Sequence, residues 1–223
     1  QGDTYNLHRR AAEQKVRPRL ISAGLDHMWD CDLADVSNTS QHNDGVRFLL
    51  VCIDVFSRFM FVRPLLDKTN KHVRQAFESI FVDSGRQPKK IRTDQGSEFV
   101  GKVTEAYLKR SRGIEHFVTY SDKKACFAER AIRTLKTIMY RYFYAYQTYR
   151  YVDVLQDMVN GNYNKRPHSS LPGHMAPSDV TSQNESLVWK RMYVDTAQGQ
   201  AKPGRRPKQR KKFKFKLGDR VRL

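Results

Sequence analysis

Apolar and polar positions follow two different periods along this chain, and the switches between them mark out its elements. Leu25 to Val36 (LDHMWDCDLADV) is apolar with aspartates interleaved, a strand pattern. A turn at Asn38 to Gly45 separates it from Val46 to Phe56 (VRFLLVCIDVF), whose unbroken apolar run suits a buried strand. Arg58 to Leu65 predicts a third strand, reached through a short Phe-Ser-Arg turn, so the second and third should pair as a hairpin. The period then lengthens. Lys68 to Ser84 carries Val73, Phe77, Ile80 and Phe81 at helical spacing and stops at Gly85. A short strand at Lys89 to Thr93, a helix from Phe99 to Arg112 closed by Gly113, and a fifth strand at Ile114 to Thr119 follow. The strongest periodicity lies in Tyr120 to Tyr146. Ala128, Ala131, Ile132, Leu135, Ile138, Met139, Tyr142 and Tyr146 form one stripe of an amphipathic helix there. A further helical stretch spans Val152 to Tyr163, and Asn164 to Pro177 is rich in Pro and Gly and irregular.

This order predicts an α/β fold, a mixed five-stranded sheet flanked by helices. Residues 1–24 read as a polar, basic arm, 25–180 as the core domain and 181–212 as a basic linker. Residues 213–223 (FKFKLGDRVRL) alternate apolar and basic, the start of a small β module.

Charge changes the picture. Lys and Arg number 41 against 23 Asp and Glu, a net charge of +18, which calls for a polyanionic partner. From Lys202 onward there are eleven basic residues and one acid, so the tail carries +10 and the rest of the chain +8. Within that tail Lys208, Arg210, Lys211 and Lys212 are candidate DNA contacts, and the same run suits a nuclear-localisation signal. Cys31, Cys52 and Cys126 show no paired spacing, and no zinc pattern joins them to the seven histidines. No zinc site and a reduced, intracellular setting are therefore expected. No apolar run approaches the ~18 residues of a membrane span, and neither a membrane partner nor a signal peptide is expected. The opening Gln-Gly-Asp, without Met, reads as the start of a fragment.

Three acids then stand out. Glu129 lies off the apolar stripe near the head of the long helix, with Arg133 and Lys136 four and seven residues on and on the same face. An acid alone at that place is ordinarily a helix-dipole effect. Asp32 sits inside the first strand among Trp29, Cys31 and Leu33, where an unpaired carboxylate is costly. Asp94 ends the fourth strand beside Gly96, where α/β folds build sites. Taken singly they read as a cap, a paired strand acid and a turn residue. Taken together, in a very basic chain without a Ser/His or Cys/His arrangement, they suit Mg²⁺ or Mn²⁺, two of which can clamp an in-line phosphoryl transfer. Asp30 shares a strand face with Asp32 and competes with it, whereas Asp35 points the other way. Asp54 reads as a structural strand-end acid and His168 as a loop histidine. Asp122 or Ser121 is the expected N-cap. The tyrosines and phenylalanines between Tyr140 and Tyr151 read first as core or subunit interface, and second as a stacking surface for nucleic acid.

At these residues the chain resembles the retroviral-type integrases with a D,D-E signature. The resemblance rests on Trp-x-x-Asp at Trp29 to Asp32, Thr-Asp-x-Gly-Ser-x-Phe at Thr93 to Phe99, and AERAIRTLK from Ala128. The last two acids have 34 residues between them, and Asp54 to Arg58, Tyr163 to His168 and Pro177 match further motifs. The wording around Glu129 is most similar to the integrases of Polinton or Maverick DNA transposons. The resemblance covers about Leu25 to Asp179. It implies an RNase H-like fold and Mg²⁺- or Mn²⁺-dependent 3′-end processing and strand transfer of DNA in the nucleus, with Asp32, Asp94 and Glu129 holding two ions. It also implies that Tyr120 to Cys126 is a loop beside the DNA end, that Lys123, Lys124, Arg133 and Lys136 hold phosphates, and that Glu98 lies near the site without being a ligand. The family's zinc domain is not in this chain. Its C-terminal module, a β-barrel or chromodomain, implies DNA or chromatin contact, and joining two ends implies at least a homodimer. Two other classes compete. One is a domesticated DNA- or chromatin-binding protein that keeps the fold without catalysis, against which the complete triad argues. The other is an RNase H-like nuclease on RNA–DNA hybrids, which normally gathers four acids.

Overall fold

A computed structural model describes residues 20–119 and 126–195. The N-terminal arm, Tyr120 to Ala125 and everything from residue 196 lie outside the described residues, and with them Ser121, Asp122, Lys123, Lys124, Lys208, Arg210, Lys211 and Lys212.

The strands are β1 (Met28–Asp35), β2 (Phe48–Asp54), β3 (Met60–Leu65), β4 (Lys90–Thr93) and β5 (Glu115–Val118). They form one mixed sheet in the order β3-β2-β1-β4-β5. β1 to β3 pair antiparallel, and β4 and β5 join parallel to β1. Helix α1 (Asn70–Ser84) connects β3 to β4 and ends at Gly85 with φ 63°, a left-handed position that glycine occupies without strain. Between β4 and β5 the single expected helix is broken. α2 (Ser97–Val100) and α3 (Lys102–Ala106) are separated by Gly101, whose φ of −65° and ψ of 144° are extended, and α3 runs on into a wide turn at Tyr107–Ser111. Glycine disfavours helix interiors through its backbone entropy, and here the break falls on it. The long helix is α4 (Cys126–Tyr146). α5 (Leu155–Val159), entered through a 3-10 turn at Val152–Val154, continues into a wide turn at Asn160–Asn164.

Strand alternation divides the core in two. Trp29 and Cys31 point to the face covered by α1 and the α2–α3 segment, among Phe77, Ile80, Phe81, Phe99 and Leu108. Ala34, Leu49, Val51 and Ile53 point to the other face, against Ala131, Leu135 and Met139 of α4 and Leu155 and Met158 of α5. Asp30 and Asp32 belong to this second face by the same alternation, so β1 aims its acids at α4. The apolar stripe of α4 ends one residue pattern away from the expectation: Phe143 is buried, and Tyr146 stands in solvent. Phe143 packs edge-on to Tyr149 and near Tyr151, whose backbone is anchored by the buried Asn43.

The 3-10 turn Ser37–His42 occupies the expected loop after β1. The three cysteines are free thiols, and Cys31 and Cys52 face each other across β1 and β2 as small apolar core residues. Past residue 180, α6 (Glu185–Trp189) and the following turn pack on the domain: Val188 and Met192 join Phe56, Leu171 and Val180. Trp189 Nε1 donates to the Ser22 carbonyl at 3.0 Å and Glu185 accepts from the Leu25 amide at 2.9 Å, tying this helix to the entrance of β1. Among the described residues no helix is long and apolar enough to cross a membrane.

Leu135 is fully buried between α4 and the sheet. Leu135→Ala should cost about 2–5 kcal/mol in urea unfolding; a loss below ~1 kcal/mol would mean that α4 is not docked as described.

Candidate active site

The site grows from the parallel pairing of β1 with β4. Met28 lies against Lys90, Trp29 against Ile91 and Asp30 against Arg92. Two residues further on, the same register sets Asp32 beside Asp94, just past the end of β4. Arg92 reaches across to Asp30, with Nε to Oδ1 at 2.8 Å and Nη2 to Oδ2 at 2.9 Å, a bidentate pair. The same Oδ2 accepts the backbone amides of Phe127 at 2.9 Å and Ala128 at 3.2 Å. A buried strand carboxylate therefore caps the first turn of α4, where helix amides lack partners of their own. Glu129 is the next residue. Ala128 is buried and Glu129 is exposed, so the clasp turns Glu129 outward beside the sheet end.

Asp32 is half-buried, and its Oδ1 accepts its neighbour Leu33's amide at 2.8 Å. Its carboxyl is pushed up from 3.8 to about 6, chiefly by burial and then by the negative charges of Asp94 and Glu129, against the opposing Leu33 hydrogen bond. That repulsion expresses the proximity of the three acids. Asp94 Oδ1 accepts from Gly96 N at 3.1 Å. Its backbone is held by the buried Thr93, whose hydroxyl donates to the Asp94 carbonyl at 2.9 Å and meets His116 Nε2 at 2.9 Å. Thr119 completes the brace, with its amide and hydroxyl both 3.0 Å from the Thr93 carbonyl.

The fold thus brings Asp32, Asp94 and Glu129 to one end of the sheet. Among the described residues no three His, Cys, Asp or Glu side chains close to metal-ligand geometry. The donor set nevertheless fits a hard divalent cation: all oxygen, partly desolvated, and mutually repelling until a positive charge enters. The rival acids are otherwise engaged. Asp30 is fully buried and spends both oxygens on Arg92 and α4. Asp54 is fully buried and accepts from Ser57 Oγ at 2.6 Å and Arg86 at 3.1 Å. Asp35 accepts from the Ser37 amide, and that hydrogen bond holds its carboxyl below the usual carboxylate range. Glu98 sits in the first turn of α2, and His168 stacks edge-on to Tyr163. Arg133 is exposed and Lys136 half-buried, one and two turns beyond Glu129 on its side of α4.

Sequence reasoning missed the clasp and the brace. Asp30 drew attention only as a competitor of Asp32, and nothing in the spacing links it to Arg92 or to an amide 97 residues away.

Two outcomes follow from this geometry. Arg92→Ala leaves Asp30 charged and buried without its cation and should cost about 3–5 kcal/mol in chemical denaturation; a loss under ~1 kcal/mol would remove the clasp from the fold's essentials. Because the folded protein holds the Asp32 proton more tightly than the unfolded chain, the ionised carboxylate costs stability. That cost is absent below about 3.8, grows as pH rises, and is complete above about 6. Asp32→Asn should therefore stabilise the protein in a metal chelator at pH 7.5 by about 1 kcal/mol, a figure discounted for solvent screening, and by less at pH 4.5. Thermal melts at the two pH values check this; a larger gain in acid would contradict it.

Comparison with known proteins agrees with this fold. The integrase core domain family matches residues 25–135. A transposon-derived protein of Caenorhabditis elegans is 35% identical over 190 residues, 84% of this chain and 58% of that protein. The Pol polyprotein of Feline endogenous virus ECE1 is 32% identical over 111 residues, 48% of this chain and 10% of the polyprotein. The chain thus spans under two thirds of each of these relatives. Among solved structures, the HTLV-2 integrase catalytic core domain in complex with magnesium superposes with a TM-score of 0.57 at 17% identity, covering 73% of this chain and 99% of that one. The simian T-cell lymphotropic virus intasome in complex with PP2A regulatory subunit B56 gamma gives a TM-score of 0.58 at 19% identity, with 74% and 56% covered. At those identities the likeness is one of fold, and it is the RNase H-like fold of integrase cores. Over residues 25–135 the chain belongs to the integrase core domain family.

Proposed function

We propose that this chain is a polynucleotidyl transferase that trims and joins DNA ends, inserting a mobile element's DNA into a target. The observation that carries the reading is the gathering of Asp32, Asp94 and Glu129 at one sheet end, felt as the upward push on Asp32. Family membership supports it. In the reaction, the oxygen of a water or of a 3′-hydroxyl forms a new bond to phosphorus as the bond from phosphorus to the departing 3′-oxygen breaks. The departing oxygen takes up a proton, so one phosphodiester is exchanged for another or for a free end without an energy cofactor.

Asp32, Asp94 and Glu129 would hold two Mg²⁺ (or Mn²⁺) ions. When bound, such ions polarise the phosphodiester and ease the deprotonation of the attacking oxygen. The chain's own residues do the rest. The Asp30–Arg92 clasp fixes the turn that carries Glu129, and the Thr93–His116 brace fixes Asp94. Arg133 and Lys136 hold the phosphates of the DNA end and give it a register on α4.

The test is a strand-transfer assay with a labelled oligonucleotide ending in the element's own terminus, beside a pre-formed branched substrate for the reverse reaction. Glu129→Gln, Asp32→Asn and Asp94→Asn should each lower joining by at least about a hundredfold while leaving DNA affinity near that of the unaltered chain. Tight DNA binding without metal-dependent joining on either substrate would instead make the chain a DNA-binding protein with a relic site. Lys136→Ala should weaken DNA affinity and lower the slope of log K against log salt by about 0.9. Unchanged affinity and slope would take it off the DNA face.

A further inference from the structure

The helix that carries Glu129 continues well beyond the site. α4 has Glu129 as its only acid across 21 residues. Its buried side is set by Ala128, Ala131, Leu135, Met139 and Phe143, which fixes what the opposite side presents. At 3.6 residues per turn, Arg133, Lys136, Tyr140 and Tyr144 follow Glu129 at i+4, i+7, i+11 and i+15, a single row along the helix. Arg130, Thr134, Thr137 and Arg141 lie along one flank of that row and are exposed. Tyr140 meets Phe143 edge-to-face, yet Tyr140 and Tyr144 are 59% and 82% exposed, so the row ends in two aromatic side chains that stand mostly in solvent. From Glu129 to Tyr144 the helix rises about 22 Å, the length of roughly six base steps at 3.4 Å each.

The charges on this face differ from those around them. Arg63, Arg86, Arg92 and Arg150 are each ion-paired with an aspartate. Among the described residues, Arg130, Arg133 and Arg141 have no ion pair with a carboxylate. A row of cations without carboxylate ion pairs, ended by two tyrosines, is complementary to a sugar-phosphate backbone. It supplies guanidinium forks and tyrosine hydroxyls for phosphate oxygens, and flat rings to lie against sugars; the Thr134 and Thr137 hydroxyls already donate to the Arg130 and Arg133 carbonyls. The same composition disfavours a second copy of the chain, because a two-fold interface would set this cationic face against itself.

We propose that α4 beyond Lys136, through Tyr140, Arg141 and Tyr144, is a second contact for duplex DNA. It grips the backbone of the duplex whose end reaches the three carboxylates. This rests on the reading of the chain as a DNA-joining enzyme and deepens it: the enzyme holds about half a helical turn of DNA leading away from the reacting phosphate, in addition to the end itself. The contact is to backbone, so it acts on affinity and register without reading sequence.

The experiment is fluorescence anisotropy of the full chain with a labelled 20-base-pair duplex across a salt series. The Tyr140→Ala/Tyr144→Ala double variant should bind about 5–10-fold more weakly. Arg141→Ala should bind more weakly and lose about 0.9 from the salt slope. Tyr146→Ala is the control, for Tyr146 is 69% exposed on the same helix but stacks on Tyr142 away from the row, and its affinity should stay at that of the unaltered chain. All four positions are on the surface, and circular dichroism should report folded protein throughout. Unchanged affinity in the double variant and in Arg141→Ala, while the unaltered chain binds, would overturn this contact and leave the enzymatic reading standing. Equal weakening by Tyr146→Ala would also overturn it. If sedimentation shows an oligomer that the double variant dissociates with DNA affinity intact, the face belongs to a second copy instead. Failure of the unaltered chain to bind any duplex would remove the DNA reading itself.

Discussion

A single buried carboxylate holds the candidate site together. Asp30 joins three elements that are far apart in sequence: β1, which carries it; β4, whose Arg92 forks onto it; and α4, whose first free amides end on it. A carboxylate in a fully buried place needs donors on its oxygens, and here Oδ1 takes one from Arg92 while Oδ2 takes three, from Arg92, Phe127 and Ala128. The arrangement also sets distances. Asp32 lies two residues along β1 from the clasp, Asp94 two residues along β4, and Glu129 within two residues of the capped amides. Each proposed ligand is thus a short, rigid step from one common anchor, which is how a site gains precision from strands and a helix rather than from loops.

The anchor and the site divide the cost of charge unequally. Asp30 is paired with Arg92 and accepts two amides of α4. Asp32, one side chain further along the same face, is left with one amide, and burial and then the charges of Asp94, Glu129 and Asp30 push its carboxyl up to about 6. Two aspartates on one strand therefore do different work: one ties β1 to β4 and α4, and the other, when ionised, raises the energy of the fold in the absence of a cation. Sites built for charge commonly carry such strain, and the surrounding packing has to supply the difference. Here it comes from the two apolar layers, with Trp29 and Cys31 anchoring one face of β1 while Ala34 anchors the other. The strand that bears the acids is also the central strand of the sheet.

Much of this was legible in the sequence, because its causes are local. The interleaved aspartates of β1, the unbroken apolar run of β2 and the 3.6-residue period of α4 are written in side-chain polarity, and so is the sidedness that keeps Glu129, Arg133 and Lys136 off the core. Charge is likewise a property of the chain itself, and an excess of eighteen cations needs no fold to imply a polyanion. The motifs around Asp32, Asp94 and Glu129 carried the family. Where local cues compete, the reading slipped. The helix after β4 breaks at Gly101, and Phe143 rather than Tyr146 closes the stripe of α4, because tertiary packing against Tyr149 and Tyr151 chooses between two aromatic residues that the period alone ranks alike.

What only the tertiary structure decided concerns partners distant along the chain. That Asp30 is an anchor while Asp32 is left to the site depends on where Arg92 and the first turn of α4 arrive, and the two aspartates look equivalent in a strand pattern. That Thr93 and His116 brace Asp94 depends on β5 lying next to β4. That α6 closes over Phe56 depends on Trp189 and Glu185 finding the chain before β1. Periodicity reports which way a side chain faces, since that follows from backbone geometry within a few residues. It cannot report what is waiting there, since the partner's position is set by the packing of whole layers. So the sequence by itself determined the elements, their faces and the charge, and the packing of the sheet against α4 decided that Asp30 holds the structure while Asp32 stays outside the clasp.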